Sequence, residues 1–380
     1  MSQQNAAEPE AQASIHGDVL EAILSHVPLI DLLSASQVSI SWKRAVSSSL
    51  AHRNPTKPWL ILHTQSSRSP HLTSMHAYDP RSHLWLEIHR PNPSSVKFAS
   101  ALRSSHSSLF YVLSPTSFAF SFDPLHLTWH HAVAPRVWRI DPIIALVGPR
   151  IVVAGGACDF EDDPLAVELY DPATRTWSMG PSMPEIFKDS TGSTWLSVAV
   201  DEQRMHVTEK SSGITHSFDP NAEIWYGPYD LRPDQSAYSC VIGTLQNRLI
   251  VAGLVGDMEN LKSVRLWEVR GELGEEFGLT EIGEVPAEMV EKLKGENECV
   301  ASISMNTMGD FLYIHNPSEL AEIIVGEVVN GMCKWRSVTN VVMKDETRMQ
   351  RMVVGCVDVG LGDLQKAVSE NRRLAFKVHV

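Results

Sequence analysis

Few positions in the sequence carry side chains whose types and spacing suit chemistry, and each has a plainer reading beside it. His130-His131 offers adjacent imidazoles, but neighbours on a strand project to opposite faces and do not readily share one ion. Asp159, Glu161, Asp162 and Asp163 supply hard oxygen ligands after Gly155-Gly156; the run reads first as a solvated loop and second as a cation site. The five cysteines, Cys158, Cys240, Cys299, Cys333 and Cys356, are odd in number, widely spaced and free of any Cys-x-x-Cys pair. They read as small buried hydrophobes in a reducing compartment. Glycine-rich phosphate loops, His-Glu-x-x-His, Gly-x-Ser-x-Gly and calcium loops are absent from the sequence. The expectation is a chain without catalytic residues, metal or cofactor.

The formal net charge of −13 opposes contact with phosphate backbones and anionic lipid, so the partner to expect is a protein. Residues 1–14 are polar and acidic, without the basic start and apolar run of a signal peptide. The longest apolar stretch, Ile143 to Ala154, is interrupted by Pro149 and Arg150 and is too short to cross a bilayer. Cytosol or nucleus is the expected location. Hydrophobic residues at 43% and charged residues at 20% fit a folded protein with a buried core.

The elements that position side chains are set by a repeat. An aromatic-Asp-Pro triplet followed by tryptophan occurs as Tyr78-Asp79-Pro80 with Trp85, Phe122-Asp123-Pro124 with Trp129, Tyr170-Asp171-Pro172 with Trp177, and Phe218-Asp219-Pro220 with Trp225. Each tryptophan lies six residues after the aspartate, and successive aspartates are 44, 48 and 48 residues apart. Such a period suits four short strands per unit. Asp-Pro reverses the chain, and the two aromatics then sit on paired strands as buried packing between units. Hydrophobic strands precede each triplet, among them Ile143–Val147, Arg150–Ala154, Leu196–Val200, Arg248–Ala252 and Phe311–His315. Val264–Val269 and the segment ending at Trp335 are worn copies, giving six units. The first unit, from Trp59, lacks a leading strand that Met352–Asp358 is placed to supply, which would close a ring and remove open sheet edges.

This pattern resembles the kelch repeat, whose signature is a double glycine after the second strand, a tyrosine before the third turn and a tryptophan in the fourth strand. Gly155-Gly156 with Tyr170 and Trp177 is the complete copy; elsewhere the double glycine is degraded, as at Ala252-Gly253. The resemblance covers about residues 57–360 and implies an all-β, six-bladed kelch-type propeller, followed by a C-terminal tail over 361–380. Galactose-oxidase-like enzymes share the propeller, but their Tyr, His and Cys copper constellation has no match in this sequence.

Between residues 15 and 50 the periodicity becomes helical. Val19, Leu20, Ile23, Leu24 and Val27 make an apolar stripe that Pro28 ends; a second helix follows Asp31, and a third begins near Ser39. Three short helices make a thin core that implies a partner. The stretch Ile15 to Pro28 and Val38-Ser39-Ile40-Ser41-Trp42-Lys43 resembles an F-box, with Ile15-His16 in place of the usual Leu-Pro opening. The resemblance implies docking on the Skp-type adaptor of a cullin-RING ubiquitin ligase through Ile15, Leu20, Ile23, Leu24, Pro28, Leu32, Val38 and Trp42. It identifies the chain as a plant F-box/kelch protein that captures a target for ubiquitination and proteasomal degradation. The group that recruits phenylpropanoid and flavonoid enzymes is the nearest in kind, which implies chalcone synthase as the first target to test. The alternatives are a non-catalytic kelch scaffold without ligase docking and a kelch-class oxidoreductase.

In kelch propellers the loops joining second to third strands, and those joining blade to blade, share one face. On it the resemblance places Arg68 and Phe160 on loops of the first kind, and Arg136, Trp138 and Tyr229 on loops of the second, as target-binding candidates. The glutamate-rich stretch from Asp257 to Glu298 reads as an inserted solvated loop with a helical turn or two over Pro286–Lys294.

Overall fold

The computed structural model describes residues 17–67, 73–89, 101–157, 163–271, 273–274, 277–297, 299–342, 350–369 and 374–379. Helices α1 (Asp18–Leu24), α2 (Leu29–Ala35) and α3 (Ile40–His52) open the chain. α2 starts two residues before the expected Asp31 cap, because Pro28 fixes the entry φ at −52° and lacks the N–H that a first turn would leave unpaired. α3 begins next to Ser39 as expected, and Ser39 caps it, its side chain accepting from the Trp42 backbone N–H.

Six antiparallel sheets follow, five with four strands and the first with five. They form a ring in which the first strand of each blade lines the axis, and the innermost strands of neighbouring blades contact one another all the way round. The ring closes where the sequence placed the closure: Gln350–Val357 pairs with Trp59–Ser66, Leu60 opposite Cys356 and Leu62 opposite Val354. The expected C-terminal tail is, over its described residues, part of the fold. Leu361–Ser369 is helical, and Ala375–His379 adds a fifth, outermost strand to blade one with Phe376 opposite Ile88. So short an alternation gives little sequence signal, and it is the waiting edge of Leu84–His89 that makes it a strand.

The repeated motif works as a turn and a staple. Each aspartate carboxylate accepts backbone N–H groups two or three residues on, as Asp171 does from Ala173 and Thr174 (2.8 and 3.2 Å). The residue four after each aspartate, His83, Leu127, Arg175 and Glu223, takes positive φ and returns the chain to the next strand. Tyr78 then faces Trp85, Tyr170 faces Trp177 and Phe218 faces Trp225, with ring centroids 5.5, 5.0 and 4.9 Å apart. These indole N–H groups leave their own blade. Trp85 donates to the Thr339 carbonyl at 3.1 Å, Trp177 to Val133 at 3.0 Å and Trp225 to Pro181 at 3.1 Å, each at the outer edge of the preceding blade.

The tryptophans are therefore not equivalent buried residues, since Trp85 is buried while Trp177 and Trp225 are half-buried. Trp85→Ala is expected to cost about 3–5 kcal/mol. Trp177→Ala is expected to cost about 2 kcal/mol, the sum of a ring contact and a hydrogen bond. Denaturant midpoints of the two variants check the order, and an equal or larger loss at Trp177 would contradict it.

Candidate functional site

Two surfaces carry the residues expected to bind, one on the helices and one on the ring. In α1, Leu20 and Leu24 face inward, and in α2 Leu29 and Leu32 do the same. Together with Ala45 and Val46 they share a continuous core with Trp59, Ile61 and Ile88 of blade one and Leu364 and Ala367 of α5; α5 is Leu361–Ser369, and α4 (Ala287–Lys294) lies between blades five and six. The F-box helices are thus seated on the ring rather than hung from it. Arg81, in the third turn of blade one, locks the seat by donating to the carbonyls of Leu24 and Ser25 (3.2 Å each) and Val27 at the end of α1 and of Asn54 just past α3. A buried guanidinium holding four carbonyls satisfies groups that a helix end leaves open.

This packing divides the residues expected to dock. Leu20, Leu24 and Leu32 are core, because a helix of seven residues with a single apolar stripe must spend that stripe on its own support. Ile23 and Val38 are exposed (47% and 63%), while Pro28 and Trp42 are half-buried. Ile15 lies outside the described residues. Val19 and Ile40, 61% and 74% exposed, join Ile23 and Val38 as uncovered large apolar side chains on the same three helices.

The other surface is formed by the loops joining second to third strands and blade to blade, on the face away from the turns that hold the helices. Its anchor is a buried ion pair that the sequence did not announce. Glu168, in the third strand of blade three, accepts the backbone N–H of Arg136 (2.6 Å) and Val137 (3.2 Å) and pairs with the Arg139 guanidinium at 3.2 Å. Arg139 and Glu168 side chains are fully buried, and Arg139 also donates to the Gly155 carbonyl at 2.6 Å. The double glycine explains itself here. A Cβ on Gly156 would lie 2.4 Å or less from the Asp141 carbonyl group, and one on Gly155 would lie 2.5 Å from the Thr191 carbonyl oxygen. Both take φ of +61°, so only glycine lets the two blade-to-blade connections pass this close.

Of the expected target-binding residues, Arg136 is exposed on this loop, and Trp138 is half-buried against the core of blades two and three. Tyr229 is not on a loop: it lies in the strand Ile224–Asp230, is 9% exposed and meets Phe277 edge to face at 6.1 Å. The bulge in that strand keeps it paired further than the sequence suggested. Arg68 and Phe160 lie outside the described residues. Two exposed side chains were missed on the same face, Ile140 (57%) and Trp195 (62%). An isolated tryptophan in a polar loop has no partner in the repeat register, and that was the available signal.

His130 stacks on Phe120 at 5.3 Å and so serves packing, and among the described residues no group of His, Cys, Asp and Glu is placed to hold a metal ion. Of the acidic run only Asp163 is described, accepting the Leu165 N–H and the Ser182 hydroxyl. Cys240 and Cys356 are buried as expected and Cys333 partly so, but Cys299 is exposed beside the α4 insertion. Burial pushes the Cys356 thiol up to about 12 and Cys240 up to about 11, which leaves both as inert packing groups. The glutamate-rich insertion is not wholly solvated, since α4 buries Val290 and Leu293.

The structure is that of a six-bladed propeller with a three-helix platform fixed to one blade, both presenting exposed large apolar side chains. The F-box domain model matches residues 17–54. An F-box/kelch-repeat protein of Arabidopsis thaliana is 45% identical over 373 residues, covering 95% of this chain and 94% of that protein. The F-box protein KIB2 of Arabidopsis thaliana is 28% identical over 32% of this chain and 29% of its own length, and human Kelch-like protein 21 is 24% identical over 29% and 19%. The chain belongs to the F-box/kelch-repeat proteins. An F-box joined to kelch repeats is the architecture of a substrate-recognition adaptor of a Skp-cullin-F-box ubiquitin ligase, and such proteins are in general non-catalytic.

Proposed function

We propose that the exposed apolar group Val19, Ile23, Val38 and Ile40, with the half-buried Trp42, is the surface that the Skp-type adaptor covers. The observation that carries this reading is that these side chains are left open on a domain matching the F-box model while the rest of their helices is packed into blade one. Uncovered large apolar side chains grouped on one small domain mark an interaction site. The target then docks on the face of the second-to-third and blade-to-blade loops, where Arg136, Ile140 and Trp195 offer an exposed arginine and exposed apolar groups of the kind that dominate binding energy. Trp138 packs into the core of blades two and three behind that face.

The target proposed first is a flavonoid-pathway enzyme, chalcone synthase, supported by the resemblance to plant F-box/kelch proteins that recruit such enzymes. The encounter is placed in the cytosol or nucleus, where the ligase and proteasome operate. A reconstituted ligase with this chain as its receptor is expected to ubiquitinate chalcone synthase. Arg136→Ala combined with Trp195→Ala is expected to lower target capture at least tenfold, the loss typical of removing an anchor worth about 2 kcal/mol, while leaving adaptor binding intact. Ubiquitination equal in wild type and variant would contradict the assigned face. No modification of chalcone synthase, with the adaptor bound, would contradict the target alone.

A further inference from the structure

The axis of the ring holds a cavity of about 970 Å3 whose mouth opens on the proposed target-binding face. Its wall is polar: Ser104, Ser105, Ser197, Thr244, Ser304 and Thr307 line it from the inner strands of four blades. The mouth is charged in an uneven way. Arg103 and Arg351 each occupy the second position of their inner strands, Leu102–His106 and Gln350–Val357, and these strands belong to adjacent blades. Asp141 precedes the inner strand of blade three, and Lys210 follows the second strand of blade four.

Asp141 offsets one charge of this group of three cations, pairing with Arg103 and also favouring the charged forms of Arg351 and Lys210. Its carboxylate accepts from Arg103 at 2.5 Å, the Ser193 hydroxyl at 2.7 Å, and the Thr194 hydroxyl and N–H at 3.0 and 3.1 Å. Lys210 donates to the Thr194 carbonyl at 2.9 Å, a neutral partner. The remaining acidic lining residues, Glu296 and Glu319, sit together on the blade-six side, where the Glu319 carboxylate accepts the Glu296 N–H at 3.0 and 3.1 Å. Among the described lining residues, three cations, Arg103, Arg351 and Lys210, therefore face one carboxylate, Asp141, on the blade one to four side of the mouth, in a protein whose net charge is −13. Burial first and the Arg103 charge second hold the Arg351 guanidinium below its ordinary range, and burial pulls Lys210 down to about 8. Burial outweighs the opposing Asp141 charge at both cations, and an anion bound at the mouth would favour their charged forms.

We propose that the channel mouth is a binding site for a small, multiply charged oxyanion, a polycarboxylate or a phosphate, held by Arg103, Arg351 and Lys210 with hydroxyls of the channel wall. Guanidinium groups suit planar, two-point contact with carboxylate and phosphate oxygens, and the cavity falls in the size range of small-molecule sites. This site goes beyond capture of a protein target and does not depend on which protein is captured.

The test uses the full chain and titration calorimetry at low ionic strength with citrate and, separately, inorganic phosphate. Citrate is expected to bind saturably with one ligand per chain and phosphate more weakly. Arg351→Gln and Lys210→Gln are each expected to weaken citrate at least tenfold without changing the denaturant midpoint or adaptor binding, and Arg351→Lys is expected to recover part of the loss. Absence of saturable binding by both anions would overturn the site. So would citrate affinity unchanged in the Arg351→Gln, Lys210→Gln double variant. Binding of a glutamate-rich peptide with both small anions silent would also overturn it, because the mouth would then be part of the protein-docking surface.

Discussion

Glu168→Ala is expected to destabilise the ring by about 3–5 kcal/mol, because it removes the carboxylate that pairs with the fully buried Arg139 guanidinium. The same carboxylate accepts the N–H groups of Arg136 and Val137, so its loss also frees the connection that carries Arg136 and Ile140 across the proposed target face. Two effects should therefore appear together, a lower denaturant midpoint and weaker target capture, with adaptor binding retained. Replacing both partners, Arg139→Met with Glu168→Leu, should recover much of the stability, since a buried pair exchanged for apolar groups of similar size is often neutral. It should not recover target capture, because the loop N–H groups stay unpaired. A single Glu168→Ala variant as stable as the parent would show that the pair does not hold the loop.

Leu24→Arg and Ile23→Arg, one residue apart, are expected to fail in opposite ways. Leu24 is 1% exposed in the core that joins the helices to blade one and α5, so an arginine there buries an unpaired charge and should cost more than about 3 kcal/mol, unseating the F-box. Ile23 is 47% exposed, and surface exchanges away from special features stay within about 0.5 kcal/mol. Its variant should melt like the wild type and lose the adaptor. Limited proteolysis separates the two, cutting between α3 and blade one only in Leu24→Arg. Cleavage in both variants, or in neither, would contradict the division of the helix into a core face and a docking face.

What was legible in the sequence was local or periodic. The Asp-Pro turns are written in neighbouring residues, since an aspartate bonds its own following backbone, and a tryptophan six residues on keeps the register visible even without its environment. Ring closure by residues near 352–358 could be inferred because a blade lacking one strand leaves an edge that must be filled. Features that depend on distant segments were not legible. The stripe of α1 shows which residues are apolar but not that blade one and α5 would cover Leu20 and Leu24 while leaving Ile23 open. Arg139 and Glu168 are 29 residues apart, one in a connection and one in a strand, and nothing in either neighbourhood marks them as partners. The channel mouth draws Arg103, Asp141, Lys210 and Arg351 from separate blades and exists only once the ring is closed.

In the proposed function the helices dock the ligase adaptor through their exposed apolar side chains while the ring remains free for its target. It is tested most directly by co-elution of the purified full chain with a purified Skp-type adaptor, comparing wild type with Ile23→Arg, Val38→Glu. An equimolar complex is expected for wild type, and at least about a hundredfold weaker binding for the variant with an unchanged denaturant midpoint. Absence of a complex with the wild-type chain, or equal binding by the folded variant, would contradict it.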